Sequence, residues 1–346
     1  MTYHRFRTER DLTMAYQEKN RRKILLLLLM GLLAFSLVIV DIYHGFGALS
    51  FLGTNVASQQ PELAGVVLKM RLTRTLTAAL VGASLGLAGL CMQNMLKNPI
   101  ATPFTLGLSS AASFGASLSI LSGFPFVFGQ ANVQASAIFF CFLGSAVILL
   151  IFSAGQVSMN TIILVGTAIN LFFTSLQELS KYFASERNAQ RMTTWSLGDL
   201  SKSSWDSVLV VFIVLYIVLV LIYRQSWEMN LLQLSDESAQ SMGVNVKRTR
   251  LLIFFASALV TAVAISFVGT IGFIGLIAPH FVKMLVGNDA RFTIIGSAIM
   301  GVVVLLLAAV VSKALIPGTI IPVGIITSLV GVPFMCLVAI RKGQRS

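Results

Sequence analysis

Residues 24–42 read ILLLLLMGLLAFSLVIVDI, an apolar run whose first charge is Asp41. A helix rises about 1.5 Å per residue, so roughly 20 such residues match the hydrocarbon core of a bilayer and have no comparable use in a water-soluble fold. Similar runs lie near 75–92, 106–121, 134–152, 161–179, 207–223, 251–267, 271–286, 292–312 and 322–340. With the first they make about ten predicted spans, the stretch 251–286 being the hardest to divide. A membrane barrel would alternate residue by residue, and stretches such as VVVLLLAAVV do not. The chain is 56% hydrophobic and 11% charged with mean hydropathy +0.86, which excludes a soluble domain of this size. The reading is an all-α integral membrane protein. One transmembrane domain covers 24–340, between a basic tail at 1–23 and a short tail at 341–346. The first run is too long for a signal-peptide core and no small-residue cleavage site follows it, so it is taken as a helix of the mature protein.

The net charge of +12 could suggest nucleic acid, but its placement indicates topology. Seven Arg or Lys lie between Arg5 and Lys23, and Arg224, Lys247, Arg248, Arg250, Lys283, Arg291, Arg341, Lys342 and Arg345 follow. With ten spans these all fall on one side, as the positive-inside rule requires of the cytoplasm, and both termini are placed there. Eight basic residues are left outside: Lys69, Arg71, Arg74, Lys181, Arg187, Arg191, Lys202 and Lys313. Positive charge in outer loops runs against the usual bias and asks for an acidic partner. Cys91, Cys141 and Cys336 each sit in an apolar run, where cysteine acts as a small hydrophobe, so neither a disulfide frame nor a metal site is expected.

Two loops carry more specific information. No GxxxxGK[ST] occurs, so the chain lacks the phosphate-cradling loop, and an ATP-driven process would need another subunit. After Tyr223, LLQLSDESAQSMGVNV reads as a short helix outside the membrane. Ser235 is a natural N-cap, Asp236 and Glu237 suit the positive end of the dipole, and Gly243 is a C-terminal stop. Ala239 and Met242 then share a face, which either docks a soluble partner or lies on the membrane surface. The second loop is QNMLKNPIATPFTL, beginning at Gln93. Pro99 and Pro103 disfavour helix at the residues before them. An elbow therefore joins two spans at the inner side, and polar backbone there must be buried in protein or line a cavity.

RLTRTLTAALVGASLGLAGLCMQNMLKNPIATPFTLGLSSAASFGASL (71–118) resembles the signature of the FecCD-type permeases, the membrane subunits of ABC importers for iron–siderophore complexes, haem and vitamin B12. Three further blocks agree in order and spacing: TTWSLGDLSKSSW, LQLSDESAQSMGV, and GTIGFIGLIAPHFVKMLVGNDAR leading to IPVGIITSLVGVPF. The resemblance implies a type II ABC importer fold with ten spans. It also implies a second permease chain, identical or related, two ABC ATPase subunits carrying ATP and Mg, and an extracytoplasmic substrate-binding protein. No cofactor is expected in this chain. Ser235, Asp236, Glu237, Ser238, Ala239, Met242 and Gly243 match the family's ATPase-coupling helix. Arg71 and Arg74 fall on positions that dock the binding protein, with Lys313 where a third arginine usually stands. Gln93, Asn98, Pro99 and Pro103 belong to the signature elbow.

The fifth predicted span, with Asn170 and Glu178, corresponds to a pathway-lining helix of the family, and an ionisable residue inside a span is functional by default. His280 has no companion ligands in the sequence and is read as structural, and Trp195 and Trp205 as interface anchors. An echo between VGASLGLAGL near 81 and VGTIGFIGL near 268 hints at an internal repeat. The reading is import of a ferric siderophore across a bacterial cell membrane, with haem, cobalamin or an oxyanion as other cargoes. A gradient-driven transporter would want paired intramembrane carboxylates, and Glu178 with Asp41 makes a poor relay. A membrane enzyme would want a clustered acid, base or metal set, which the sequence does not offer.

Overall fold

The structure is a computed structural model describing residues 9–43, 61–122, 132–153, 158–316 and 319–343. Arg5, Arg7 and Arg345 of the predicted basic tails lie outside these residues. Thirteen helices follow one another among the described residues: α1 (Glu9–Tyr43), α2 (Pro61–Met95), α3 (Leu108–Ser122), α4 (Val133–Ser153), α5 (Met159–Tyr182), α6 (Glu186–Ser196), α7 (Trp205–Arg224), α8 (Ser226–Leu231), α9 (Asp236–Ser241), α10 (Val246–Val268), α11 (Ile274–Val286), α12 (Ala290–Ala314) and α13 (Val323–Gly343). Seven of them, α1, α2, α4, α5, α7, α10 and α12, are long and apolar enough to cross a membrane. Three shorter apolar helices, α3, α11 and α13, occupy the remaining predicted runs. The protein is a multi-pass, all-helical membrane protein.

Several boundaries differ from the hydropathy reading for one reason. α1 begins at Glu9 and α2 at Pro61, well before the apolar runs starting at 24 and 75, because helical hydrogen bonding continues after the chain leaves the apolar layer. The doubtful stretch 251–286 is divided at Gly269–Phe273, where Gly269 (φ 78°) and Phe273 (φ 66°) both adopt left-handed backbone that ends α10 and starts α11. α6 is a helix the sequence reading did not anticipate, since its polar residues hide its period. It buries Met192 and Trp195.

α2 is the axis of the bundle, packed along its length by α12, α10 and α11. Without water between helices there is no hydrophobic drive to associate, and close van der Waals contact takes its place. Small residues supply it. A Cβ on Gly82 would lie 2.4 Å from the Gly301 carbonyl oxygen, and one on Gly89 would lie 1.9 Å from the Gly275 carbonyl oxygen. Gly89 and Gly275 are the matching last glycines of the two echoed stretches, so the echo meets itself at a backbone contact. α1 stands at the periphery, exposing Leu25, Leu28, Leu32 and Phe35 as a lipid-facing helix does. α5 and α13 also leave large apolar side chains uncovered, among them Leu164, Leu171, Leu329 and Val330.

Candidate functional sites at the two ends of the bundle

One end of the bundle is built around α9. Ser235 is the N-cap (φ −66°, ψ 155°), its hydroxyl accepting from the Ser238 amide at 3.1 Å. Gly243 (φ 86°) ends the helix, with Val244 N donating to the Ala239 carbonyl at 3.1 Å. Capping and stop are thus as the sequence indicates, but the face is not. Ala239 is fully buried in the main core, whereas Met242 is 59% exposed. The expectation that the pair forms one uncovered apolar face is corrected. Met242 is the C-cap, where the chain leaves helical geometry (φ −88°, ψ 12°). α9 is seated on its own chain through Ala239 and presents Glu237 and Met242 outward.

Asp236, the first residue of α9, is the charged centre of this end. Arg250 in the second turn of α10 grips it with a two-point fork, Nη1 to Oδ2 and Nη2 to Oδ1, both at 2.8 Å. Lys97 Nζ donates to Asp236 Oδ1 at 2.9 Å and to the Leu234 carbonyl at 2.5 Å. Burial works to raise the Asp236 pKa, but the Lys97 and Arg250 hydrogen bonds outweigh it and hold the carboxyl below its ordinary value. Sequence reading missed Lys97 and Arg250 as site residues. Three charges in a chain only 11% charged were the available signal.

Lys97 opens the elbow. Its φ of 49° turns the chain after α2, and Asn98 N then donates to the Gln93 carbonyl at 3.1 Å. Asn98 Oδ1 accepts from Ile100 N at 3.1 Å, and Thr102 and Thr105 bond to each other's amides and hydroxyls, so the elbow satisfies its own backbone. Pro103 is buried and Pro99 half-buried. Gln93 is buried, its Nε2 donating to the Gly275 carbonyl at 3.2 Å and its Oε1 accepting from Lys283 Nζ at 3.2 Å. Phe104 lies 6.2 Å from Phe273 and lines a cavity of about 630 Å³ with Leu197, Thr270, Gly324 and Val332. The elbow is therefore both self-bonded and cavity-lining.

Nearby, Asp289 caps α12. It accepts from the Arg291 amide and guanidinium and from Asn230 Nδ2 of α8, while Asn230 Oδ1 accepts from Ala290 N at 2.7 Å. The Arg291 side-chain hydrogen bond, ahead of that from Asn230, pulls the Asp289 pKa down to about 2 against a smaller upward push from burial.

At the other end of α1 and α2, Asp41 is fully buried and lies 2.7 Å from Lys313 Nζ, which also donates to the Asp41 carbonyl at 2.9 Å. Thr75 donates to the same carboxylate at 2.6 Å. Lys313 is only 7% exposed, so the structure places this sequence-predicted docking cation in an internal ion pair. Arg71 and Arg74 lie beside it, half-buried, with Arg71 Nη1 3.4 Å from the Ile42 carbonyl. The two clusters lie at opposite ends of the apolar run of α1, Lys23 near Asp289 and Asp41 beside Lys313.

On α5, Asn170 is half-buried, and Glu178 is exposed and paired with Lys181 at 2.8 Å. Thr167, Leu171, Thr174 and Glu178 recur at helical spacing on an uncovered, mixed-polarity face. Trp195 is 7% exposed and belongs to the core, which corrects its reading as an interface anchor; Trp205 is 44% exposed. His280 is half-buried, edge-on to Phe334 at 5.2 Å. Cys91 and Cys141 are buried and Cys336 exposed. Among the described residues no three His, Cys, Asp or Glu side chains converge on a metal position.

A family model described as the FecCD transport family matches residues 24–341. The chain belongs to the FecCD transport family. It is an ABC transporter permease, a transport component and not an enzyme. Among its relatives, the "Probable iron chelatin transport system permease protein" of Helicobacter pylori (strain J99) is 36% identical over 81% of this chain and 84% of that one. The hemin transport system permease protein HmuU of Yersinia pestis is 33% identical over 92% of this chain and 97% of its own length. A solved structure described as a metal-chelate type ABC transporter in an inward-facing conformation superposes with a TM-score of 0.80 at 28% identity, covering 91% of this chain and 99% of that one.

Proposed function

We propose that this FecCD permease imports an iron(III)–siderophore complex. An extracytoplasmic binding protein delivers the complex, and two ABC ATPase subunits that hold ATP and Mg drive the transport. The observation that carries the reading is the seating of α9: a capped helix held from behind by Ala239 and Asp236, with Glu237 and Met242 turned outward. A helix so braced transmits force applied to its free face. A second permease chain completes the pathway, with the uncovered faces of α5 and α13 meeting it and Asn170 and Glu178 lining the passage. α3, α11 and α13 join the seven longer helices to give ten crossings with both termini in the cytoplasm of a bacterial cell. Arg71 and Arg74 receive acidic side chains of the binding protein, while Lys313 braces them from inside through Asp41. The cargo rests on the iron chelatin name of the Helicobacter relative. Haem is the second reading, favoured by the Yersinia relative that spans 92% of this chain.

The test is reconstitution of the chain with an ABC ATPase and a binding protein in proteoliposomes, with ATP hydrolysis and uptake of a radiolabelled ferric siderophore as readouts. Glu237→Arg combined with Met242→Asp is expected to abolish ATPase association without altering folding. Association unaffected by that double substitution would remove the docking assignment, and uptake of haemin but not of siderophore would transfer the cargo to the second reading.

A further inference from the structure

Three separate parts of the fold converge on one carboxylate, that of Asp236: the coupling helix that bears it, the N-terminal part of α10 through Arg250, and the elbow through Lys97. The two cations hold it differently. Arg250 is 4% exposed, and its planar fork leaves little freedom, so α9 and the start of α10 behave as one body. Lys97 is 34% exposed on a flexible stem, and it is the elbow's side-chain tie to that body.

Lys97 also occupies left-handed backbone, φ 49°, which an L side chain with a full stem adopts at a cost and which glycine or asparagine adopts readily. Backbone geometry alone therefore argues against lysine at this position. The amine accounts for it, because from there it reaches both Leu234 and Asp236, residues 137 and 139 positions away. Upstream, α2 is clamped against α11 where Gly89 meets Gly275, so movement at this end of the chain begins after Met95. Downstream of Lys97 the exposed side chains of Ile100 and Phe104 lie on the elbow, and Phe104 faces the cavity shared with Leu197, Gly324 and Val332.

We propose that Lys97 is a positioning residue that couples the elbow to the ATPase-contacting helix, Asp236 being the pin on which it pulls. Displacement of α9 is carried rigidly into α10 by Arg250 and into the elbow by Lys97, so the elbow that lines the cavity shifts when the motor engages. This rests on the reading of α9 as the ATPase-docking helix.

The experiment uses the full chain co-purified with its ATPase, with Cys336 replaced by serine and Ile100→Cys as a reporter; Cys91 and Cys141 are buried and stay unlabelled. Alkylation by a water-soluble maleimide is followed with and without ATP and vanadate in wild type, Lys97→Gly and Lys97→Arg. Wild type and Lys97→Arg are expected to show a several-fold change in labelling rate on nucleotide addition. Lys97→Gly is expected to lose that change while retaining the ATPase and melting at or above the wild-type temperature, because glycine relieves the left-handed backbone. A nucleotide-dependent change that survives in Lys97→Gly overturns the proposal, as does its absence in wild type. A lowered melting temperature in Lys97→Gly overturns it in favour of a structural bridge. Failure of the ATPase to bind wild type at all defeats the docking reading and this proposal together, whereas the first three outcomes leave docking intact.

Discussion

Gly301→Ala places a methyl group between α12 and α2. Its Cβ would stand 2.0 Å from the Gly82 carbonyl oxygen and 3.2 Å from the Gly86 Cα, and the first of these is backbone that cannot rotate away. The helices must part by about 1 Å before that contact reaches 3.0 Å, the shortest approach real Cβ atoms make. Overpacking of this kind costs about 1–3 kcal/mol. Lost Cα–H···O contacts along the crossing add about 0.5–1 kcal/mol each. Against this, replacing glycine by alanine inside a helix returns at most about 1 kcal/mol. The net expectation is destabilisation by about 2 kcal/mol. Gly31→Ala in α1 supplies the control, since nothing lies within 4 Å of its added Cβ, and it should be neutral or slightly stabilising. Thermal unfolding in detergent, followed by tryptophan fluorescence, compares the two. Equal midpoints for Gly301→Ala and Gly31→Ala would refute close backbone packing as the source of the crossing. Because α2 carries the elbow at its C-terminal end, the same substitution should also slow transport more than its stability loss explains.

Two other outcomes follow from the charged clusters. Lys313→Met or Asp41→Asn alone leaves a buried charge uncompensated and should cost about 3–5 kcal/mol, whereas the double substitution should recover most of it, as a double-mutant cycle of unfolding free energies would show. If the single substitution at Lys313 instead weakens binding-protein docking with no loss of stability, the cation faces outward in the working complex. At Asp289 the folded pKa of about 2 lies below its ordinary value of 3.8. The native state therefore binds fewer protons than the unfolded one between these values, so the contribution is full above about pH 4 and is lost as pH falls through 2. Acid unfolding of Asp289→Asn should lack that increment, and an identical profile for both proteins would remove the assignment.

The architecture was legible because a bilayer imposes a length on apolar segments, and that length is visible in one dimension. Pairings across the fold were not. Asp41 and Lys313 lie 272 residues apart, and each alone reads as a charge at the edge of a span. The resemblance assigns Lys313 to docking, and its pairing with Asp41 adds an internal role that neither charge alone discloses. Helical spacing put Ala239 and Met242 on one face, but the C-cap at Met242 ended the periodicity that the inference needed. Trp195 reads as an interface anchor because it falls at a predicted outer boundary, and the α6 that carries it inward is hidden by its polar residues. It is buried in the main core, and Gly269 approaches its backbone so closely that an added Cβ would sit 2.0 Å from the Trp195 carbonyl oxygen. Capping residues, by contrast, act within one turn, and Ser235 and Gly243 behave as read.

The loop from α8 to α9 is tied to two different bodies. Asn230 in α8 binds the α12 cap at Asp289 and Ala290, and Gln233 Nε2 donates to the Asn288 carbonyl at 2.9 Å. A few residues later Asp236 binds Arg250 of α10 and Lys97 of the elbow. α12 is locked to α2 by the glycine crossing, so the first tie anchors the loop to the axis of the bundle. The second tie joins it to α10, which is packed on α2, and to the elbow, which leaves that axis after Met95. On the proposed docking of an ATPase at α9, a force on that helix would be resisted at Asn230 and passed on at Asp236. Under that proposal α9 would act as a lever with a fixed side at Asn230 and a moving side at Asp236, whereas a rigid attachment at both ends would transmit nothing to the elbow.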